Sequence, residues 1–153
     1  PIAGTIFYRP LPFSVMKLDA FRPADVGSLA AIALSVIVGL VALPTLPAEV
    51  AVQWAADGSP STVLPAVPGV FLTPACALLA FAYLRGGGLL PGRDPELRST
   101  TGLAVVASVS YLQVALVALN LGVSVNPLVV VAPAVIAVLA ATYAERIASE
   151  GVV

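Results

Sequence analysis

Residues 99–144 read STTGLAVVASVSYLQVALVALNLGVSVNPLVVVAPAVIAVLAATYA, from Ser99 to Ala144 without one formal charge. A helix needs about 20 apolar residues to cross a bilayer core, so the run is too long for one span. It is long enough for two, joined by a tight turn at Gly122 to Asn126. Its Leu, Val and Ala residues show no period-two alternation, which argues against a transmembrane β-barrel. Backbone groups in lipid are then satisfied within each segment, as helices.

The rest of the chain extends this pattern. Val26 to Ala48 is also free of charge, and Gly58 to Leu84 is interrupted only by prolines and glycines. Charged residues are 10% of the 153 and hydrophobic ones 59%, with a mean hydropathy of +1.04. A soluble domain would carry roughly a quarter charged residues. The expected fold is all-α and integral to the membrane: four helices in an up-down bundle, over about 26–43, 64–84, 100–121 and 127–144. An outer loop of 44–63 separates the first two.

The seven Lys and Arg residues orient the bundle. Arg9, Lys17 and Arg22 precede the first span, Arg85, Arg93 and Arg98 lie between the second and third, and Arg146 follows the fourth. The loop after the first span holds Glu49 and Asp57 but no base. Basic loops stay in the cytoplasm, so both termini are expected there, with 1–25 and 147–153 as cytoplasmic segments flanking one membrane domain, 26–146. Met16-Lys17-Leu18 reads like a natural start, so 1–15 is either an over-extended gene start or a genuine tail. One lysine against six arginines, with abundant Ala and Val, suggests a GC-rich genome and the plasma membrane of a bacterium or archaeon.

Within this frame, Asp25 is read as the N-cap of the first helix. Pro44 and Pro47 end it. Gly27, Ala31, Ser35 and Gly39 recur every four residues, as do Pro65, Gly69, Thr73 and Ala77 in the second helix. Such spacing forms a face for close helix approach, or else reflects an Ala-rich composition. Pro74 has no N–H for the Val70 carbonyl and should bend the second helix. In the third, Ser110, Gln113 and Asn120 fall near one face. An amide exposed to lipid costs several kcal/mol, so Gln113 should face the bundle, either to fix packing or to line a path for a ligand. The single Cys76 is read as a small packing residue.

No ionisable residue lies inside any expected span, and the chain has no histidine. That argues against a proton- or ion-coupled pump. There is no nucleophile–base pair and no ligand cluster, so neither an enzyme nor a metal or other cofactor is expected. A net charge of −1 without a basic patch makes nucleic acid an unexpected partner. The lipid bilayer is the expected one.

The outer loop carries the chain's one resemblance. Leu46-Pro47-Ala48-Glu49-Val50-Ala51-Val52-Gln53-Trp54-Ala55-Ala56-Asp57-Gly58-Ser59-Pro60, followed by an apolar helix with Pro74, resembles the signature of a membrane domain of unknown function. That domain occurs in Sdp-type toxin-immunity membrane proteins and their relatives. Its pattern is Leu-Pro, Val or Ile with Pro, His-Trp, then Gly-x-Pro. Leu46, Pro47, Val50, Trp54, Gly58 and Pro60 match. Ala51 stands for the second proline, Gln53 for the histidine, and the basic residue that usually follows is missing. The resemblance covers roughly residues 27–84, the shared N-terminal module.

It implies a compact outer cap that senses or resists an extracellular peptide through Gln53, Trp54, Asp57, Gly58 and Pro60. Gln53 cannot titrate and is a poor metal ligand, so a proton- or metal-dependent activity does not carry over. Two other functions fit the residues: a structural or accessory subunit of a membrane complex, suggested by the small-residue faces, and a small-molecule facilitator using Gln113, Ser110 and Asn120.

Overall fold

Arg22 to Thr45 shows how the first helix is set. The computed structural model, described over residues 22–55, 57–85 and 99–150, begins α1 at Pro23 and runs it to Ala42. Proline suits the first helical position because its missing N–H has no helical acceptor there. The cap therefore falls one turn earlier than expected. Arg22 is the N-cap, and Asp25, three residues in, reaches back to accept the Arg22 N–H at 2.8 Å. A short 3-10 turn over Leu43–Thr45 ends the span.

The expected outer loop is a β-hairpin, a departure from an all-α fold. Strand β1 (Glu49–Trp54) pairs antiparallel with β2 (Pro60–Pro65), with Val50 opposite Leu64 and Ala51 opposite Val63. Val50, Val52 and Trp54 on one side of Asp57-Gly58, and Thr62 and Val63 on the other, are β-branched and aromatic runs flanking a turn, a pattern that forms a hairpin. Gly58 takes a φ of +85°, a left-handed conformation that glycine adopts without a Cβ penalty. The register shifts on either side of Gln53.

Helix α2 then covers Ala66–Arg85, so residues 64 and 65 belong to the strand and not to the helix. It continues through Pro74. Helix α3 runs over Ser99–Asn120 and α4 over Pro127–Glu150, beyond the expected end at 144. Asn126 caps α4 by accepting the Leu128 N–H on its side chain at 2.9 Å. All four helices are long and apolar enough to cross a membrane. Arg9, Lys17, Arg93 and Arg98, the proposed start at Met16 and residues 151–153 lie outside the described residues.

The chain alternates direction. Asp25 at the start of α1 pairs with Arg85 at the end of α2. The start of α3 meets the end of α4 through Thr101 and Glu145. Helix α3 is central: it packs against α1, α2 and α4, while α4 packs on α3. Ala134 is the buried residue of α4, and Ser108 of α3 donates to its carbonyl at 3.1 Å.

The interior is layered. An apolar layer of Ile32, Ala77 and Val106, flanked by Phe81, Leu84 and Val109, fills the half away from the hairpin. Towards the hairpin the interior turns polar: Ser110 and Gln113 are buried, with Gln113 beside Gly39 and Val70. The small-residue faces are buried in part. Ser35 and Gly39 are enclosed, as are Gly69 and Ala77, whereas Gly27 and Ala31 are half-buried. Cys76 corrects one expectation: it is exposed on the outside of α2 and packs nothing inside. A small apolar thiol is at no disadvantage facing lipid.

Candidate functional site

The hairpin is fixed to the bundle at two places, on α2 and on α3. Val50 is fully buried, and a methyl built on Gly69 of α2 would stand 2.3 Å from its Cγ2. Glycine at that position is what lets the strand side chain seat against the helix backbone. On α3, the Asn120 side chain accepts the Ala51 N–H at 2.7 Å and donates to the Ala51 carbonyl at 2.9 Å. It also donates to the Leu116 carbonyl at 2.9 Å. The amide thus imitates the peptide group of a neighbouring strand, and satisfies backbone groups that would otherwise be orphaned at an edge. At the tip, a Cβ on Gly58 would lie 3.7 Å from Pro127 of α4. The hairpin therefore joins α2 to α3, and its tip lies near the start of α4.

The turn carries its own network. Asp57 accepts the Ser59 hydroxyl at 2.7 Å and the Ser59 N–H at 2.9 Å, both on Oδ1. The Ser59 hydroxyl, and after it the Ser59 N–H, hold the Asp57 carboxyl below its ordinary value of 3.8, because both bonds favour the ionised form. The Ala55 N–H donates to the Ser59 carbonyl at 2.8 Å and the Gly58 N–H to the Ala55 carbonyl at 2.9 Å.

The residues expected to form a loop site separate into two groups. Gln53, Asp57 and Pro60 are exposed, and Trp54 and Gly58 half-buried, on one hairpin. Gln53 accepts the Thr62 hydroxyl at 2.8 Å across the strands. The intramembrane trio splits. Asn120 holds the hairpin, whereas Ser110 and Gln113 are buried below it, and Ser110 Oγ, Gln113 Oε1 and Gln113 Nε2 have no hydrogen-bond partner among the described residues.

Sequence reasoning missed the docking of Val50 on Gly69, the Thr62 bond and the Thr101–Glu145 link. The hairpin itself had a signal, two β-prone runs around Asp57-Gly58. The links across the fold had none, because they join residues far apart in the chain. Among the described residues no group of three or more His, Cys, Asp or Glu side chains is placed to hold a metal ion.

A family model described as a Domain of unknown function (DUF1648) matches residues 30–78. Those residues are most of α1, the whole hairpin and most of α2. The match agrees with the domain-level resemblance of the loop and leaves α3 and α4 outside it. No curated protein and no solved structure matches the chain.

Proposed function

We propose that this chain is a multi-pass protein of a bacterial or archaeal plasma membrane that senses or resists an extracellular peptide through its hairpin. The distribution of bases supports an orientation with the hairpin outside and the Asp25–Arg85 end in the cytoplasm. One observation carries the reading. The hairpin is pinned by Val50 and Asn120, yet Gln53, Asp57 and all of β2 up to Val63 remain exposed. A surface held rigid and left open loses little conformational freedom on binding. Glu49 and Asp57 without a base on this side favour a cationic peptide. The loop's resemblance to a domain that occurs in toxin-immunity proteins is a further support.

The test is deletion of the gene, followed by challenge with spent medium from the strain's own stationary culture and from close relatives. Complementation uses wild type and a Trp54→Ala, Asp57→Ala double variant. Sensitivity rescued by wild type alone supports the reading. No change in sensitivity on deletion overturns it.

A second reading, an accessory subunit of a membrane complex, rests on α4. That helix buries little beyond Ala134 and exposes Leu128, Val129, Ile136 and Leu139, a surface for lipid or for another subunit. Co-purification of a stoichiometric partner in mild detergent supports this reading, and a stable lone monomer counts against it.

A further inference from the structure

We infer that the outer edge of β2 takes an extended cationic peptide as a third strand of the hairpin, through the Val63 N–H and carbonyl. The inference rests on the role proposed for the hairpin and names where and how the peptide binds there.

In an antiparallel pair, residues directly opposite either exchange both backbone bonds or both point their N–H and carbonyl away from the partner strand. Ala51 points away, since its N–H and carbonyl go to the Asn120 side chain at 2.7 and 2.9 Å. Val63 stands opposite Ala51, so its N–H and carbonyl also point away from β1, to the far edge of β2. The bond from the Ala66 N–H to the Ala48 carbonyl at 2.8 Å fixes the same phase. Counting in from that bond, Val50 and Leu64 bond each other, and Ala51 and Val63 do not.

The two edges of the hairpin differ. Asn120 occupies the edge of β1. On the other side, β2 lies against β1 and α2, and Val63 is 51% exposed. No backbone bond joins Val63 to another element among the described residues. Proteins guard strand edges with proline, charge or a cover. Pro60 and Pro65 are the first and last residues of β2 and have no N–H to donate. They close its ends and leave Ser61 to Leu64 open to pairing. A residue of an added strand opposite Val63 exchanges both bonds with it, which is the main-chain part of recognition by strand addition.

Charge selects the occupant. From Val26 to Leu84 the chain carries Glu49 and Asp57 and no base, and both acids are exposed. Glu49 is opposite Pro65 and Asp57 lies three residues before Pro60, so a strand along β2 meets an acid at each end. Lys or Arg side chains on it are attracted to both. A second copy, edge to edge, would bring two more acids. Its four residues of open edge also fall far short of the roughly 20–30 residues a side of a standard protein–protein interface.

The probe is an end-blocked octapeptide of alternating lysine and valine, which is basic, β-prone and free of tryptophan. It is titrated into the full chain in nanodiscs of zwitterionic lipid. Fluorescence of the single Trp54 reports binding, and hydrogen exchange reports the Val63 amide. The expected result is binding that slows exchange at Val63 about tenfold or more. Val63→Pro removes that one N–H where it faces away from the ladder, a position that tolerates proline. It should weaken binding about tenfold, while Val63→Ala binds as wild type does. Unchanged exchange at the Ala51 amide shows that the hairpin of Val63→Pro is still docked. Where that protection is lost, exchange at Val63 in wild type decides alone.

Absence of binding overturns the inference, as does binding that leaves Val63 exchange unchanged. Equal binding by a docked Val63→Pro also overturns it, since that is attraction of charge alone. So does protection of Val63 that rises with protein concentration in the absence of peptide, which is pairing with a second copy. Strand addition and the proposed role fail separately. Binding that bypasses Val63 removes strand addition and leaves the role standing. Unchanged sensitivity on gene deletion removes the role, and the Val63 measurement still decides the edge.

Discussion

Asn120 grips both backbone polar groups of Ala51, accepting its N–H at 2.7 Å and donating to its carbonyl at 2.9 Å across 69 positions of sequence. Only a side chain carrying an acceptor and a donor in one plane can do both. Asn120→Asp keeps the acceptor and sets a second oxygen against the Ala51 carbonyl. Asn120→Leu loses both bonds. Each bond is worth roughly 0.6–1 kcal/mol, so Asn120→Leu should lose about 1–2 kcal/mol of hairpin docking, and Asn120→Asp one bond plus the repulsion between the two oxygens. Hydrogen exchange at the Ala51 amide reads this directly, and unchanged protection in Asn120→Leu would refute the docking role.

The glycines are expected to respond unequally to alanine. Gly69→Ala places a methyl 2.3 Å from Val50 Cγ2, and Gly39→Ala places one 2.6 Å from Val70 Cγ1. Both overpack a filled junction, at a cost of about 1–3 kcal/mol each. Gly102→Ala meets Leu84 only at 3.9 Å and should be near neutral or stabilising, since alanine is the better helix former by about 1 kcal/mol. Thermal unfolding in one detergent ranks the three. Val50→Ala should rescue Gly69→Ala specifically, and failure of that rescue removes the Val50–Gly69 contact as the cause.

Asp57 sets the pH behaviour of the tip. Its carboxyl is held below the ordinary value by the Ser59 hydroxyl and N–H, so ionisation favours the folded turn. A depressed folded pKa gives stability that is fully present above the unfolded value of 3.8 and is lost as pH falls through the lower folded value. The turn should therefore be insensitive to pH at neutrality and loosen only in strong acid. The single Trp54, three residues away, reports this by fluorescence. Asp57→Asn keeps an acceptor for Ser59 and should abolish the acid transition in the tip; a transition that persists at the same pH assigns it to another group.

Thr101 ties the start of α3 to α4 by donating its hydroxyl to Glu145 Oε2 at 2.6 Å and its N–H to Oε1 at 3.0 Å. Thr101→Val removes the first bond and keeps the shape. A hydrogen bond to a charged acceptor contributes about 1.5–3 kcal/mol, so the variant should unfold at lower temperature, with increased hydrogen exchange in the last turns of α4. Exchange unchanged there would show that the Thr101 hydroxyl does not hold α4.

Orientation follows from one cysteine. In a Cys76→Ala background, Ser59→Cys on the exposed tip should react with a membrane-impermeant maleimide in intact cells, and Ser149→Cys only after lysis. The reverse pattern would invert the proposed topology and place the hairpin in the cytoplasm.

The sequence by itself determined the number of long apolar helices and, except at the end of α4, close approximations of their ends. Charge-free runs of bilayer length leave the backbone one solution, and prolines and turn residues mark where it stops. It also placed Gln113 inside, because an amide in lipid is expensive wherever its helix happens to sit. What it did not determine was the conformation of the loop over 44–63. The two strands there are held to the bundle where Val50 finds Gly69 and Ala51 finds Asn120. Asn120 read as one more polar residue of a membrane stripe, and its role depends on an unpaired strand edge brought to it by the fold. The same holds for Gln113: periodicity gave its direction, while the convergence of its amide with Gly39 and the Val70 carbonyl was decided by the packing of three helices. Local pattern fixes which face of an element is apolar, and only tertiary structure fixes which polar atoms meet.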